Sequence, residues 1–339
     1  MGKFKSKSFP RTLVVINQDA GYLTIDVLNN LSNEYDEVIF VTGKVNFYNR
    51  TLNTNIKIVR TFKYNRRNLF TKLLSWMLCF FHIVYLLKTR YTDSRILFYS
   101  NPPIGPWASL VCSNIFAVMV FDVYPESLKL MGITEHSMIY KVWLKLNQRA
   151  YEKAEKVYTI SKKMAGTLSK IVSEDKISVI PLWPAYKADE FENINKTDNL
   201  SFGNLLNSKF IVLYAGTLGL GHHIESIYEV VKKLKYNDKI HFLVIGNGSM
   251  KPWFETKVIE DNLINCTLLS RQSDDNFKLI LDSAKIGIVS LNEQLSESLI
   301  PSKTFNYLAA HLPLLVIGGM NSELREIVEK FQIGQVFKP

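Results

Sequence analysis

The chain has 339 residues, 47% hydrophobic and 21% charged, a balance that excludes a disordered chain and leaves room for two domains of ordinary size. Its three cysteines, Cys79, Cys112 and Cys266, are widely spaced, which excludes a disulfide framework or a C-x-x-C metal site and fits a reducing cytosol. The net charge of +10 is uneven: residues 1–187 carry 26 Lys+Arg against 13 Asp+Glu, and residues 188–339 carry 15 against 18. An anionic partner, either a lipid surface or a nucleic acid, is therefore expected for the first half alone, unless the excess is a solvated face.

At the N-terminus only four apolar residues, Leu13 to Ile16, precede Asn17, too few for the core of a secretory signal. Thr12–Asn17 and Glu37–Thr42 read as buried strands with helical spacing between them at Asp26–Leu31, and Ile56–Thr61 is a further strand. The apolar run Leu73–Leu87 is shorter than the roughly 20 residues of a membrane span and has basic residues on both sides. Three readings stay open for it: a helix buried in the first domain, a helix lying in a membrane interface, or a span. Strands then follow at Ile96–Ser100, stopped by Asn101-Pro102-Pro103, and at Ala117–Asp122, before the turn Tyr124-Pro125-Glu126. A long helix over Met138–Ala154 and strands at Val157–Ile160 and Ile177–Pro181 complete a first α/β domain, residues 1–187.

Residues 188–209 are polar and read as a linker, and the pattern restarts in a second α/β domain, residues 210–339. Its strands are Phe210–Ala215, Ile240–Ile245, Cys266–Leu269, Ile286–Ser290 and Leu314–Ile317, with a helix over Ile224–Leu234. Three features fall where parallel-sheet domains bind ligands, beyond strand carboxyl ends. Gly216-Thr217-Leu218-Gly219-Leu220-Gly221 lets backbone approach a ligand before a helix start that favours phosphate, or is simply a tight turn. Gly246-Asn247-Gly248 is a second glycine loop on the same sheet edge. Pro301-Ser302-Lys303 suits a helix start, and a lysine in the first turn is easier to understand if an anion meets it. His222 and His223 are adjacent and cannot readily ligate one metal, so no metal site is expected.

Leu213–Gly219, Val244–Gly248 and Ile300–Lys303 with Tyr307-Leu308-Ala309-Ala310 and Pro313, together with Gly318-Gly319 and Ser322-Glu323-Leu324, resemble the donor domain of glycosyltransferase family 4, which has the GT-B fold. Ser100-Asn101-Pro102-Pro103 and Asp122–Glu126 are similar to the branch that builds bacterial capsule, O-antigen and exopolysaccharide. The resemblance implies two Rossmann-like parallel-sheet domains facing across a cleft. It also implies a retaining, hexosyltransferase-type reaction without metal or other cofactor. The donor is a nucleotide-sugar, and the acceptor is lipid-linked or a growing polysaccharide. By position, Gly216, Thr217, Gly219, Gly246, Gly248, Ser302, Lys303 and Arg271 would serve the donor, the lysine and arginine near its diphosphate. Asp122 and Glu126 would face sugar and acceptor as the catalytic pair. The family's two glutamates fall on Ser298 and Asn306, with Glu297 one residue out of register, and Asn306 offers the ribose a neutral amide. The chain stops at Pro339, short of the helices with which the family usually continues.

The expected enzyme is cytoplasmic and peripheral on the inner face of the cell membrane, with the basic half and the aromatic helix on the anionic leaflet. A non-catalytic sugar-nucleotide binder and a sugar-nucleotide epimerase are the alternatives. No nucleic-acid motif accompanies the basic half, so nucleic acid is not an expected partner.

Overall fold

The computed structural model describes residues 11–65, 67–191, 203–219, 221–292 and 300–339. It divides into two compact units, Met1–Pro181 and Leu182–Pro339.

In the first unit the elements run β1 (Thr12–Ile16), β2 (Asp19–Ala20), α1 (Tyr22–Leu31), β3 (Glu37–Thr42), β4 (Lys44–Val45), β5 (Ile56–Arg60) and α2 (Leu69–Thr89). They continue with β6 (Arg95–Tyr99), β7 (Phe116–Val120), α3 (Met138–Lys153), β8 (Lys156–Thr159), α4 (Lys162–Leu168) and β9 (Ile177–Val179). Seven strands form one parallel sheet in the order β5-β3-β1-β6-β7-β8-β9, and β2 pairs with β4 beside it. The unbroken runs Leu13-Val14-Val15-Ile16 and Val38-Ile39-Phe40-Val41 are buried along their length, as strands covered on both faces must be. Strand order reverses between β1 and β6. The loops beyond their carboxyl ends are tied there by the Gln18 N–H, which donates to the Asn101 carbonyl at 2.7 Å.

Helix α2 is longer than its apolar run because Asn68 and Thr71 close a reciprocal capping box in front of it. Neither full burial nor full exposure describes it. Trp76, Cys79, Ile83, Leu86 and Leu87 are buried, while Phe70, Met77, Phe81 and Tyr85 face out. Trp76 stacks on Tyr64 at 5.9 Å and meets Tyr124 and Trp143 edge-on at 5.8 and 6.3 Å. Gln18, fully buried, donates from Nε2 to the carbonyls of Ser75 (2.9 Å) and Phe62 (3.0 Å), tying β1 to the helix and its approach.

The second unit contains α5 (Gly203–Ser208), β10 (Phe210–Ala215), α6 (Ile224–Lys233), β11 (Ile240–Ile245), α7 (Lys251–Glu260), β12 (Cys266–Leu269) and α8 (Asp274–Ser283). It ends with β13 (Ile286–Leu291), α9 (Lys303–Ala309), β14 (Leu314–Gly318), α10 (Glu323–Phe331) and β15 (Gly334–Phe337). Its six strands are parallel in the order β12-β11-β10-β13-β14-β15, so the reversal lies between β10 and β13. Val212, Tyr214, Ile224, Ile227, Val231, Phe242 and Phe254 build its core.

The segment from Leu182 to Phe191 belongs to this second unit. Leu182, Ala185 and Tyr186 are buried, the Tyr186 hydroxyl donates to Asp274 Oδ1 at 3.3 Å, and Glu190 pairs with Lys278. These apolar side chains dock it, so the division falls ahead of residues 188–209, the polar region that reads as a linker. Residues 192–202 of that region lie outside the described residues.

Replacing Gln18 by leucine removes both donors, and with them the ties from β1 to the Ser75 carbonyl of α2 and to the Phe62 carbonyl on its approach. The Gln18→Leu protein is expected to lose about 2–3 kcal/mol in urea unfolding followed by far-UV circular dichroism.

Candidate donor site in the second unit

The site begins with α9. Tyr307 is fully buried, its ring lies against Gly287 of β13, and its hydroxyl accepts the N–H of Ala215, the last residue of β10, at 2.7 Å. A side chain larger than hydrogen at position 287 would occupy the ring's place. Helix α9 is thereby pinned against β13 and the carboxyl end of β10, the two strands that flank the switch point. Lys303 stands four residues earlier, on the same helix face, and so is delivered to the turn after β10.

There it meets Gly216. A Cβ at this position would lie 2.8 Å from Lys303 Nζ and 2.9 Å from its Cε, and φ is +156°. Glycine is required both for the backbone conformation and for the lysine's approach. The Nζ atom lies 3.8 Å from the Tyr214 ring centroid, and the Tyr214 hydroxyl donates to the Thr217 carbonyl at 2.7 Å. Part of the Lys303 side chain remains accessible, but Nζ is buried and has no hydrogen-bond partner among the described residues. Burial lowers its pKa from 10.5 to about 7.

The second glycine loop is stitched to the first. Gly216 N–H donates to Ile245 O (2.9 Å), Leu218 N–H to Asn247 O (3.0 Å), and Met250 N–H to Leu218 O (2.9 Å). A Cβ on Gly246 would run into the Gly216 carbonyl oxygen, and one on Gly248 into that of Leu218. Backbone against backbone is enough to require glycine at both positions. Gly219 has no such neighbour, its nearest contact being the Thr217 methyl at 3.4 Å. Among the described residues no acceptor takes the N–H of Thr217 or of Gly219, while those of Gly216 and Leu218 are used in the stitching.

His222 and His223 close the floor. His222 Nδ1 donates to the Ser290 carbonyl at 2.7 Å, and the His223 N–H donates to Ser290 Oγ at 2.9 Å. Burial, then the charge of Lys303, pushes His222 down to about 4, so it is neutral at pH 7 and adds no positive charge. His223 Nε2 is buried with no partner among the described residues, and the ring packs against Gly318.

The remaining predicted positions are placed less centrally. Ser302 starts α9 with helical φ and ψ (−60°, −25°) and makes no side-chain cap, since capping needs an extended backbone at that residue. Asn306 accepts the Ala185 N–H on Oδ1 at 2.6 Å, a bond that makes it a clasp for the docked segment. Arg271 is exposed beyond the edge strand β12. Glu297 and Ser298 lie outside the described residues. In the first unit, Asp122 is exposed just beyond β7, where Ser100 Oγ accepts its N–H at 3.2 Å. Glu126 is half-buried and accepts the Tyr140 hydroxyl at 2.9 Å. Tyr307 and Ser290 were not among the predicted site residues. The signal for Tyr307 was a tyrosine one turn after the lysine, with its hydroxyl due at a strand end.

These two parallel-sheet units have the architecture of GT-B glycosyltransferases, and residues 196–339 match the glycosyl transferases group 1 family. The second unit therefore carries a domain of that family. The chain is 25% identical over 225 residues, 65% of its own length and 55% of the relative's, to "Probable glycosyltransferase WbjE" of Pseudomonas aeruginosa. It is 24% identical over 181 residues to WcaI of Escherichia coli (strain K12), provisionally described as a colanic acid biosynthesis glycosyl transferase; that match covers 52% of the chain and 44% of WcaI. The chain thus spans about half the length of the curated relatives it matches. Among solved structures it superposes with TM-score 0.69 on WaaG, a glycosyltransferase involved in lipopolysaccharide biosynthesis, at 11% identity, covering 96% of this chain and 86% of that one. Anabaena HepE in complex with UDP superposes with TM-score 0.65 at 10% identity, covering 97% and 86%.

An uncompensated lysine has a pH signature. Its folded pKa of about 7 lies below its unfolded value of 10.5, so between these values the unfolded chain binds more protons and stability rises with pH. Below about pH 7 both states carry the proton and the penalty is complete. The ligand-free Lys303→Met protein is expected to be more stable than wild type at pH 6.5 by about 1–3 kcal/mol, with the gap closing toward pH 10. Denaturant titrations at the two pH values measure it.

Proposed function

We propose that the protein is a retaining glycosyltransferase that moves a sugar from a nucleotide-sugar to a lipid-linked or polysaccharide acceptor in surface polysaccharide synthesis. The observation that carries this reading is the Lys303 cation held against the Gly216 turn with no acceptor among the described residues. A diphosphate supplies both the missing charge and the missing acceptors, and its arrival restores the ammonium form. The N–H groups of Thr217 and Gly219, unclaimed among the described residues, and the start of α6 add donors on the same sheet edge. As the bond from sugar to diphosphate breaks, charge grows on the leaving oxygen, and donors already in place stabilise that state more than the ground state. In this reading no metal is needed. Asn306, its Oδ1 engaged by Ala185, retains its amide N–H groups for a ribose oxygen. Arg271 adds charge farther out on the sheet edge. On the acceptor unit, Asp122 and Glu126 are the catalytic side chains of this reading, Asp122 exposed and Glu126 held by Tyr140.

The domain match, the glycosyltransferase names of WbjE and WcaI and the polysaccharide or lipopolysaccharide roles in the names of WcaI and WaaG support the class of reaction. The UDP in the HepE structure makes uracil the first base to try. The basic first half fits a protein that works on the inner face of the cell membrane, peripheral to it, where its acceptor is carried.

Turnover of UDP-, GDP- and CDP-sugars with membrane extract as acceptor tests this. One donor is expected to be consumed with transfer and with the anomeric configuration retained in the product by NMR. EDTA is expected to leave the rate unchanged, and Lys303→Met to lower kcat by about 100- to 1,000-fold. An inverted product removes the retaining mechanism. Binding of a sugar nucleotide without transfer favours a non-catalytic binder, and interconversion of donor sugars without acceptor favours an epimerase.

A further inference from the structure

We propose that the outward stripe of α2 is an insertion surface for one leaflet of an anionic membrane. Phe70, Leu74, Met77, Phe81 and Tyr85 follow one another at helical spacing and are 74, 44, 50, 61 and 53% exposed. The stripe runs about 22 Å at 1.5 Å per residue. Large apolar side chains ranked along one exposed helix face mark an interaction site more often than a solvent-facing surface.

The surroundings select the occupant. Between Glu37 and Asp93 the sequence has ten Lys and Arg and no Asp or Glu, and Arg67, Lys88 and Arg90 stand exposed at the two ends of the helix. Helix α3, joined to α2 through Trp76 and Trp143, also opens with exposed apolar residues, Met138, Ile139 and Val142, beside Lys141 and Lys145. A leaflet with anionic headgroups satisfies both features, apolar depth for the stripe and negative charge for its basic flanks. A second copy of the chain meets the charge requirement poorly, because a two-fold contact brings each patch onto itself and sets like charges together. By length and hydropathy α2 could cross a bilayer. Its inner side is instead committed to the unit's own core by Trp76, Cys79, Ile83, Leu86 and Leu87, and Gln18 holds the Ser75 carbonyl. The helix therefore lies in the interface with its axis along the membrane plane.

This surface deepens the reading of a membrane-carried acceptor, and its test uses neither donor nor turnover, so its failure leaves the transfer reaction standing. The full chain is floated with vesicles of phosphatidylcholine alone and with vesicles also containing phosphatidylglycerol. Binding is expected only to the anionic vesicles and to weaken with salt. Phe70→Ser/Met77→Ser/Phe81→Ser and, separately, Arg67→Glu/Lys88→Glu/Arg90→Glu are each expected to weaken it by at least about tenfold. Far-UV circular dichroism and melting check that both variants are folded. Absence of anionic-vesicle binding by wild type, or wild-type binding by both variants, overturns the proposal. So does a wild-type dimer in sedimentation that the serine variant turns into monomer without any vesicle binding.

Discussion

A buried ammonium is costly unless something nearby accepts its protons, and in the second unit nothing among the described residues does so for Lys303. Much of the local structure is arranged around keeping it there. Tyr307 locks α9 to the end of β10, Gly216 leaves room for the side chain, and Tyr214 offers its ring face. The second glycine loop braces the first through backbone hydrogen bonds, so the turn cannot relax away from the lysine. Such a group is destabilising while the site is empty and becomes an asset when an anion arrives. Strain of that kind is retained where a ligand repays it.

Neutral His222 sharpens the same point. Two histidines after a glycine turn could add charge to a phosphate site, but one has been driven to about 4 and both are fastened to Ser290. Among the described residues at the glycine turn, the positive charge thus converges on Lys303. The first unit divides its work differently: its sheet sets out Asp122 and Glu126 beyond β7, and its long helix places an apolar face outward among basic residues.

How much of this could be read beforehand depends on how local each cause is. β3, β10, β11 and β12 fall on their predicted bounds because short, mostly apolar runs between turn residues leave little else for the backbone to do. The glycine turn and Lys303 were visible because their residue types are unusual for their places. Three other features depend on partners distant in sequence. Gly246 and Gly248 read as a loop open to a ligand, and the structure adds that a neighbouring backbone passes where their side chains would stand. Leu182, Ala185 and Tyr186 dock the segment ahead of the polar region onto the second unit, and their clasp is Asn306, 121 positions after Ala185. In α2, a sequence apolar nearly all round does not disclose which side the core will take; that choice is made by Gln18, Tyr64, Tyr124 and Trp143.

The central claim is that Lys303, with no acceptor among the described residues, waits for the diphosphate of a donor. Its titration, followed by NMR of 13C-labelled lysine Cε with Lys303→Met for assignment, tests this most directly. In the free protein its pKa is predicted at about 7, rising toward the ordinary lysine value of 10.5 when a nucleoside diphosphate is added. A pKa near 10.5 in the free protein, or one that saturating nucleoside diphosphate does not move, would contradict it.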